Sequence, residues 1–155
     1  MTKDEIIALA KQKAGEHGLD PALVCAVIEQ ESAFDTMALR MEPGFERRYI
    51  KNLHLGPSES VLRATSFGLM QVMGEVAREN GFKGDFDDLC CKPEVGVEQG
   101  CIHLANELKR AGGDTRKALL LWNGGANPAY PDQVLARKSH YDDPGQQGVR
   151  VKPGP

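Results

Sequence analysis

No apolar run in this sequence approaches the roughly 18 residues that a membrane-spanning helix needs, and no block of like charge interrupts it. Its 19 basic and 22 acidic residues leave a formal net charge of −3, so neither a nucleic-acid footprint nor a membrane-surface patch is expected. The opening residues, Met1 to Lys11, lack the basic start, continuous apolar stretch and small-residue cleavage site of a secretion signal. The chain is therefore expected to be made in the cytoplasm with no export address of its own. No stretch alternates as a half-buried strand does, and no internal repeat is visible. Cys25, Cys90, Cys91 and Cys101 form no paired CxxC units, and His17, His54, His103 and His140 are scattered, so no metal site is expected. The thiols are either free and buried in a reducing compartment or, for Cys91 and Cys101, joined across a loop.

What is present is helical punctuation. Thr2-Lys-Asp-Glu5 reads as a capping box; Ile6, Ile7, Leu9, Ala10, Lys13 and Ala14 follow helical spacing, and Gly18 supplies a stop. Asp20-Pro21 opens a second helix running to about Ala33. Between residues 35 and 66 the pattern is broken by Pro43-Gly44 and Gly56-Pro57, with a short helix expected from Phe45 to Leu53. Helical spacing returns from Leu69 through Val72, Met73, Val76 and Ala77, closing at Asn80-Gly81. Pro93 opens a helix on which Val97, Cys101, Leu104, Ala105 and Leu108 share one face, with Gly96 and Gly100 admitting a close neighbour. Further helices are expected from about Asp114 to Trp122 and from about Pro131 to His140. With 155 residues, this describes a single all-α domain over 1–141, holding at most a small hairpin within 35–66. The last residues, 142–155, have too little apolar content to order themselves and are expected to be a flexible tail.

One side chain sits against the pattern. On the second helix, with Leu23 at zero and about 100° per residue, the stripe of Leu23, Val24, Val27 and Ile28 centres near roughly 70°. Glu31 falls at about 80° on the same wheel and Glu29 at about 240°, where it reads as an ordinary solvated residue. A carboxyl group on an apolar face is expensive unless paired or kept neutral. Glu31 therefore either emerges into water at the helix end, pairs with an arginine such as Arg40, or is an acid kept protonated near neutral pH and able to give its proton to a leaving oxygen.

Three clusters accompany it: Glu31-Ser32, then Gly68-Leu69-Met70-Gln71, then Leu121-Trp122-Asn123-Gly124-Gly125 with Tyr130 beyond. In this order they resemble the soluble lytic transglycosylase catalytic domain, a relative of goose-type lysozyme. The family pattern is a Glu-Ser pair closing a helix, Gly-Leu-Met-Gln opening another, an Ala-Tyr-Asn-x-Gly segment, and a tyrosine before a final helix. The resemblance covers residues 18 to 141. Arg40-Met41-Glu42-Pro43-Gly44-Phe45, Cys91-Lys92-Pro93 and Gly100-Cys101 are most similar to phage and prophage versions, whose products reach the wall through a virion or a holin.

The resemblance implies an enzyme that cleaves the β-1,4 bond between N-acetylmuramic acid and N-acetylglucosamine in peptidoglycan, as a monomer and without cofactor or metal. It implies Glu31 as the lone acid/base group. Ser32, Gln71 and the backbone around Met70 would line the sugar groove, Ser66 or Thr65 would lie near the acetamido group, and Asn123 would stand in the groove wall. The family's Ala-Tyr-Asn tyrosine is Trp122 here, so the phenolic hydrogen bond toward the acid would fall to Tyr130 or to the indole N–H. Glu42 would pair with Arg40 or Arg47 to hold the long loop over the groove. Two competing readings remain. If Asp35 or Glu42 stood about 6.5–9.5 Å from Glu31 it could activate water, giving a muramidase; and a virion protein could bind peptidoglycan without cutting it.

Overall fold

A computed structural model of the chain describes residues 1–142, and its helices begin where the sequence supplies caps. Helix α1, Lys3–Glu16, carries the expected capping box: Thr2 Oγ1 accepts from the Glu5 N–H, and Glu5 accepts from the Thr2 N–H at 2.7 Å. Gly18, at φ +64°, turns the chain so that the Leu19 N–H reaches the Ala14 carbonyl at 2.8 Å. Helix α2, Pro21–Ser32, starts under the Asp20 carboxylate, which accepts from the Ala22 and Leu23 N–H groups. Replacing Asp20 by Ala should cost about 1 kcal/mol through the lost cap. Its ion pair with Lys138 at 3.0 Å is too exposed to add much. Thermal unfolding should register a drop of roughly 2–4 °C.

Ala22 through Ile28 are all buried, so α2 is enclosed on every side for two turns rather than along a single stripe. Short strand β1, Leu39–Met41, follows, then helical turn α3, Pro43–Phe45, continued by a π-helical turn, Glu46–Ile50, and a 3-10 turn, Lys51–Leu53. Helix α4, Pro57–Arg63, leads into β2, Thr65–Phe67, and β3, Val72–Met73, before α5, Gly74–Glu79, and α6, Asp88–Cys91. The long α7, Pro93–Arg110, is followed by α8, Thr115–Trp122, and α9, Tyr130–Lys138. Helix α2 lies between α1 and α9, while α7 packs on α1, α6 and α8. Glu98 ties α7 to α1 through Lys13 at 3.0 Å and His17 at 2.7 Å. The fold is mostly helical, as expected. The segment expected to be a flexible tail lies outside the described residues except for Asp142.

Several expectations need correcting. The stretch from Leu69 does not open a helix. It is the turn of an antiparallel β2–β3 hairpin, and the helix begins only at Gly74. Gly68 and Gln71 adopt φ +65° and +49°, left-handed values that no right-handed helix accommodates. β1 pairs with the far side of β2, aligning Arg40 with Ser66, so the sheet has three strands and extends beyond 35–66. Short helices α4 and α6 were not foreseen. Cys91 and Cys101 are not joined: Cys91 is exposed, Cys101 is buried on α7, and all four cysteines are free thiols. Burial pushes the Cys25 thiol up to about 11 and Cys101 up to about 12, which leaves both as unreactive thiols.

Candidate active site

An open cleft of about 1100 Å³ crosses the molecule beside the C-terminal end of α2. Arg40, Ser66 and Met73 lie in one row across the three strands, and all three line it. The remaining walls come from the 35–48 loop, from α5, from α7 and from the end of α8.

Glu31 stands in this cleft, half-buried. Two neutral donors converge on its Oε1: the Trp122 indole N–H at 2.9 Å and the Tyr130 hydroxyl. Sequence had left those two as alternatives, and the structure uses both. Among the described residues no cation pairs with Glu31, and Arg40 is bonded to Glu42 instead. Oε2 accepts no hydrogen bond within the described residues. The carboxyl group is thus oriented through one oxygen.

The supporting geometry is local. After Ser32 the chain turns sharply, with Ala33 and Phe34 at φ 49° and 68°; such non-glycine positive φ values cost of order 1–2 kcal/mol each and cluster at functional sites. Ser32 Oγ donates to the Leu69 carbonyl at 2.8 Å, fastening the end of α2 to the β2–β3 turn. Ser32 therefore serves as a strut rather than a groove residue. Gln71, opposite, donates through Nε2 to the Ala38 and Gly68 carbonyls at 3.0 Å each. Gln71 and Ser66 both line the cleft.

Not every expected residue reaches it. Thr65 is buried and its hydroxyl donates to the Val61 carbonyl at 2.7 Å, so of the two candidate hydroxyls only Ser66 faces the cleft. Met70 is fully buried, its thioether seated on Gly100. Its side chain belongs to the core because the hairpin turn directs it inward. Tyr130 is 3% exposed and stands behind Glu31 rather than in the groove. Burial, then the Glu31 charge and the hydrogen bond to it, push its phenol well above the usual value, so it stays a donor. Asn123 does line the cleft, its Oδ1 accepting from the Asn127 N–H at 2.7 Å. Glu29, read as simply solvated, accepts from the Tyr141 hydroxyl at 2.6 Å.

The two carboxylates weighed as partners of Glu31 are bonded elsewhere. Asp35 Oδ1 accepts from the Met37 N–H at 2.9 Å, shaping its own loop, and Glu42 is held by Arg40. Sequence reasoning missed one wall altogether: His103, Glu107 and Arg110 on α7. Their i, i+4, i+7 spacing marks one helix face, a signal that was available but reads equally as a solvated surface.

No solved structure matches the chain. The family model described as the Transglycosylase SLT domain matches residues 8–141, a span that includes Glu31, the β2–β3 turn, Trp122 and Tyr130. The chain belongs to the transglycosylase SLT domain family.

Proposed function

We propose that the cleft holds a glycan strand of peptidoglycan and that Glu31 alone cleaves its N-acetylmuramic acid–β-1,4–N-acetylglucosamine bond to leave 1,6-anhydro ends. Membership of the family makes peptidoglycan the substrate class. The observation that carries the finer reading is the Glu31 carboxyl group itself, gripped at Oε1 by Trp122 and Tyr130 and, among the described residues, unengaged at Oε2.

Glu31 gives its proton to the glycosidic oxygen as the C1–O bond breaks, acting as general acid. The substrate's own 2-acetamido oxygen stabilises the positive charge at C1, so no second carboxylate is required. Glu31, now a carboxylate, takes the proton from the sugar's 6-hydroxyl as that oxygen attacks C1 and closes the anhydro ring. The acid is regenerated and no water is consumed. The Asn123 side chain and the exposed face of Trp122 supply the polar and flat surfaces that a sugar needs. Ser66 is the hydroxyl nearest in kind to the acetamido partner.

Digestion of purified peptidoglycan followed by mass spectrometry tests this. Anhydro-muropeptides are expected. Reducing ends would point to a water-adding muramidase, and no released fragments to a binding protein. Tyr130→Phe should reduce turnover about 10- to 100-fold, because its hydrogen bond to the carboxylate that forms as the proton leaves is worth about 1.5–3 kcal/mol. The rate of soluble fragment release reads that loss, and undiminished release would show that the phenol does not orient the acid.

A further inference from the structure

Trp122 ends α8 and is followed by the Asn123-Gly124-Gly125 turn, in which Gly124 and Gly125 take φ +66° and +74°. A side chain on the last residue of a helix, half-buried and facing an open cleft, has other rotamers to visit unless something wedges it. That wedge is on α7. The His103 ring lies 4.8 Å, centroid to centroid, from the Trp122 ring at an interplanar angle of 35°. Behind it, His103 Nδ1 is 3.8 Å from Glu107 Oε1. Glu107, 4% exposed, is itself clamped by Arg110 Nη1 at 2.8 and 2.9 Å. Burying a carboxylate is expensive, and among the described residues Glu107 has no partners other than Arg110 and His103.

We infer that His103 is a positioning residue for Glu31, acting through Trp122: its ring fixes the plane of the indole so that the indole N–H stays aimed at the carboxyl group. The inference rests on the reading of Glu31 as the acid. Burial, with Arg110 assisting and Glu107 opposing, lowers the His103 pKa, so near neutral pH the ring meets the indole uncharged, as an aromatic partner.

The test uses the full chain and exploits Trp122 as its single tryptophan. His103→Leu keeps side-chain bulk but removes the ring; His103→Phe restores a ring without the nitrogen atoms. His103→Leu should lower kcat on peptidoglycan about five- to tenfold, the scale of one aromatic pair, with a smaller change in KM. Its indole emission should become more accessible to a neutral quencher at an unchanged melting temperature. His103→Phe should recover most of both properties. Wild-type kcat together with wild-type indole emission in His103→Leu would overturn the inference, as would His103→Phe behaving like His103→Leu.

A wild-type measurement needs no variant. Acidification should protonate His103 and quench the indole, with a midpoint below the usual histidine value. The charged groups around the ring are Glu107 and Arg110 on α7, Glu31 across the indole on α2, and Glu79 of α5 on the same cleft wall. A parallel titration of Glu31→Gln removes the contribution of Glu31. If no quench attributable to His103 occurs, the rings are not in contact. Absence of anhydro products from the wild type would instead sink the function, and the emission measurements would still decide whether His103 holds Trp122.

Discussion

Glu31→Gln should abolish glycan cleavage and leave the fold intact. General acid–base catalysis contributes about 10²–10⁴-fold. In the proposed mechanism the same group serves both half-reactions, so the loss should lie at the upper end, about 5 kcal/mol of barrier at 10⁴-fold. The amide has the shape of the acid, and its carbonyl oxygen can still accept from Trp122 Nε1 and Tyr130 Oη, the two bonds that orient the native side chain. The melting temperature should therefore move by no more than a degree or two, so that lost activity cannot be blamed on unfolding. Asp35→Asn is the companion experiment. Asp35 is bonded into its own loop, and in a single-carboxyl mechanism its replacement costs far less than that of Glu31. Substantial cleavage by Glu31→Gln would show that the acid is another residue; equal losses from Glu31→Gln and Asp35→Asn would indicate a paired-carboxylate hydrolase.

How much of this was legible depends on where the deciding interaction lies. The start of α2 is written locally: an acidic cap, a proline in the first turn and an apolar run. The period also places Glu31 on the buried side. What the period cannot say is what meets that carboxyl group, because Trp122 and Tyr130 arrive from 91 and 99 residues away. The β2–β3 turn failed for a different reason. Leu69, Val72, Met73 and Val76 are spaced as in a helix, yet the hairpin buries Leu69 and Val72, Met73 lines the cleft, and Val76 already belongs to α5. The sign of φ at Gly68 and Gln71 is set by tertiary contacts that spacing does not encode. His103, Glu107 and Arg110 show a third kind of failure. A polar face on a long helix is ordinarily solvated, and only the end of α8 turns this one into a cleft wall.

Gly68→Ala should be the most destabilising single-methyl addition near the cleft. Gly68 sits at φ +65°, where a Cβ costs about 1–2 kcal/mol. That Cβ would also land on the Leu89 carbonyl of α6. The obstacle is backbone, which does not rotate away, so overpacking adds about 1–3 kcal/mol. Together these give about 2–5 kcal/mol, roughly 5–15 °C in melting temperature for a domain of this size. Two other glycines separate the contributions. Gly18 has φ +64° with nothing within 4 Å of its would-be Cβ, so Gly18→Ala measures backbone strain alone. Gly96, inside α7, has no such strain but faces the same Leu89 carbonyl, so Gly96→Ala measures the collision. Gly68→Ala should exceed either. The Leu89 carbonyl thus acts as a spacer between the hairpin turn and α7, and displacing it moves Ser66 and Gln71, which flank Gly68 on the cleft. Gly68→Ala should therefore also lose cleavage activity well below its melting temperature, whereas Gly18→Ala should not. A melting temperature for Gly68→Ala no lower than that of Gly18→Ala would mean that the carbonyl yields, and that the turn is not braced where the cleft requires it.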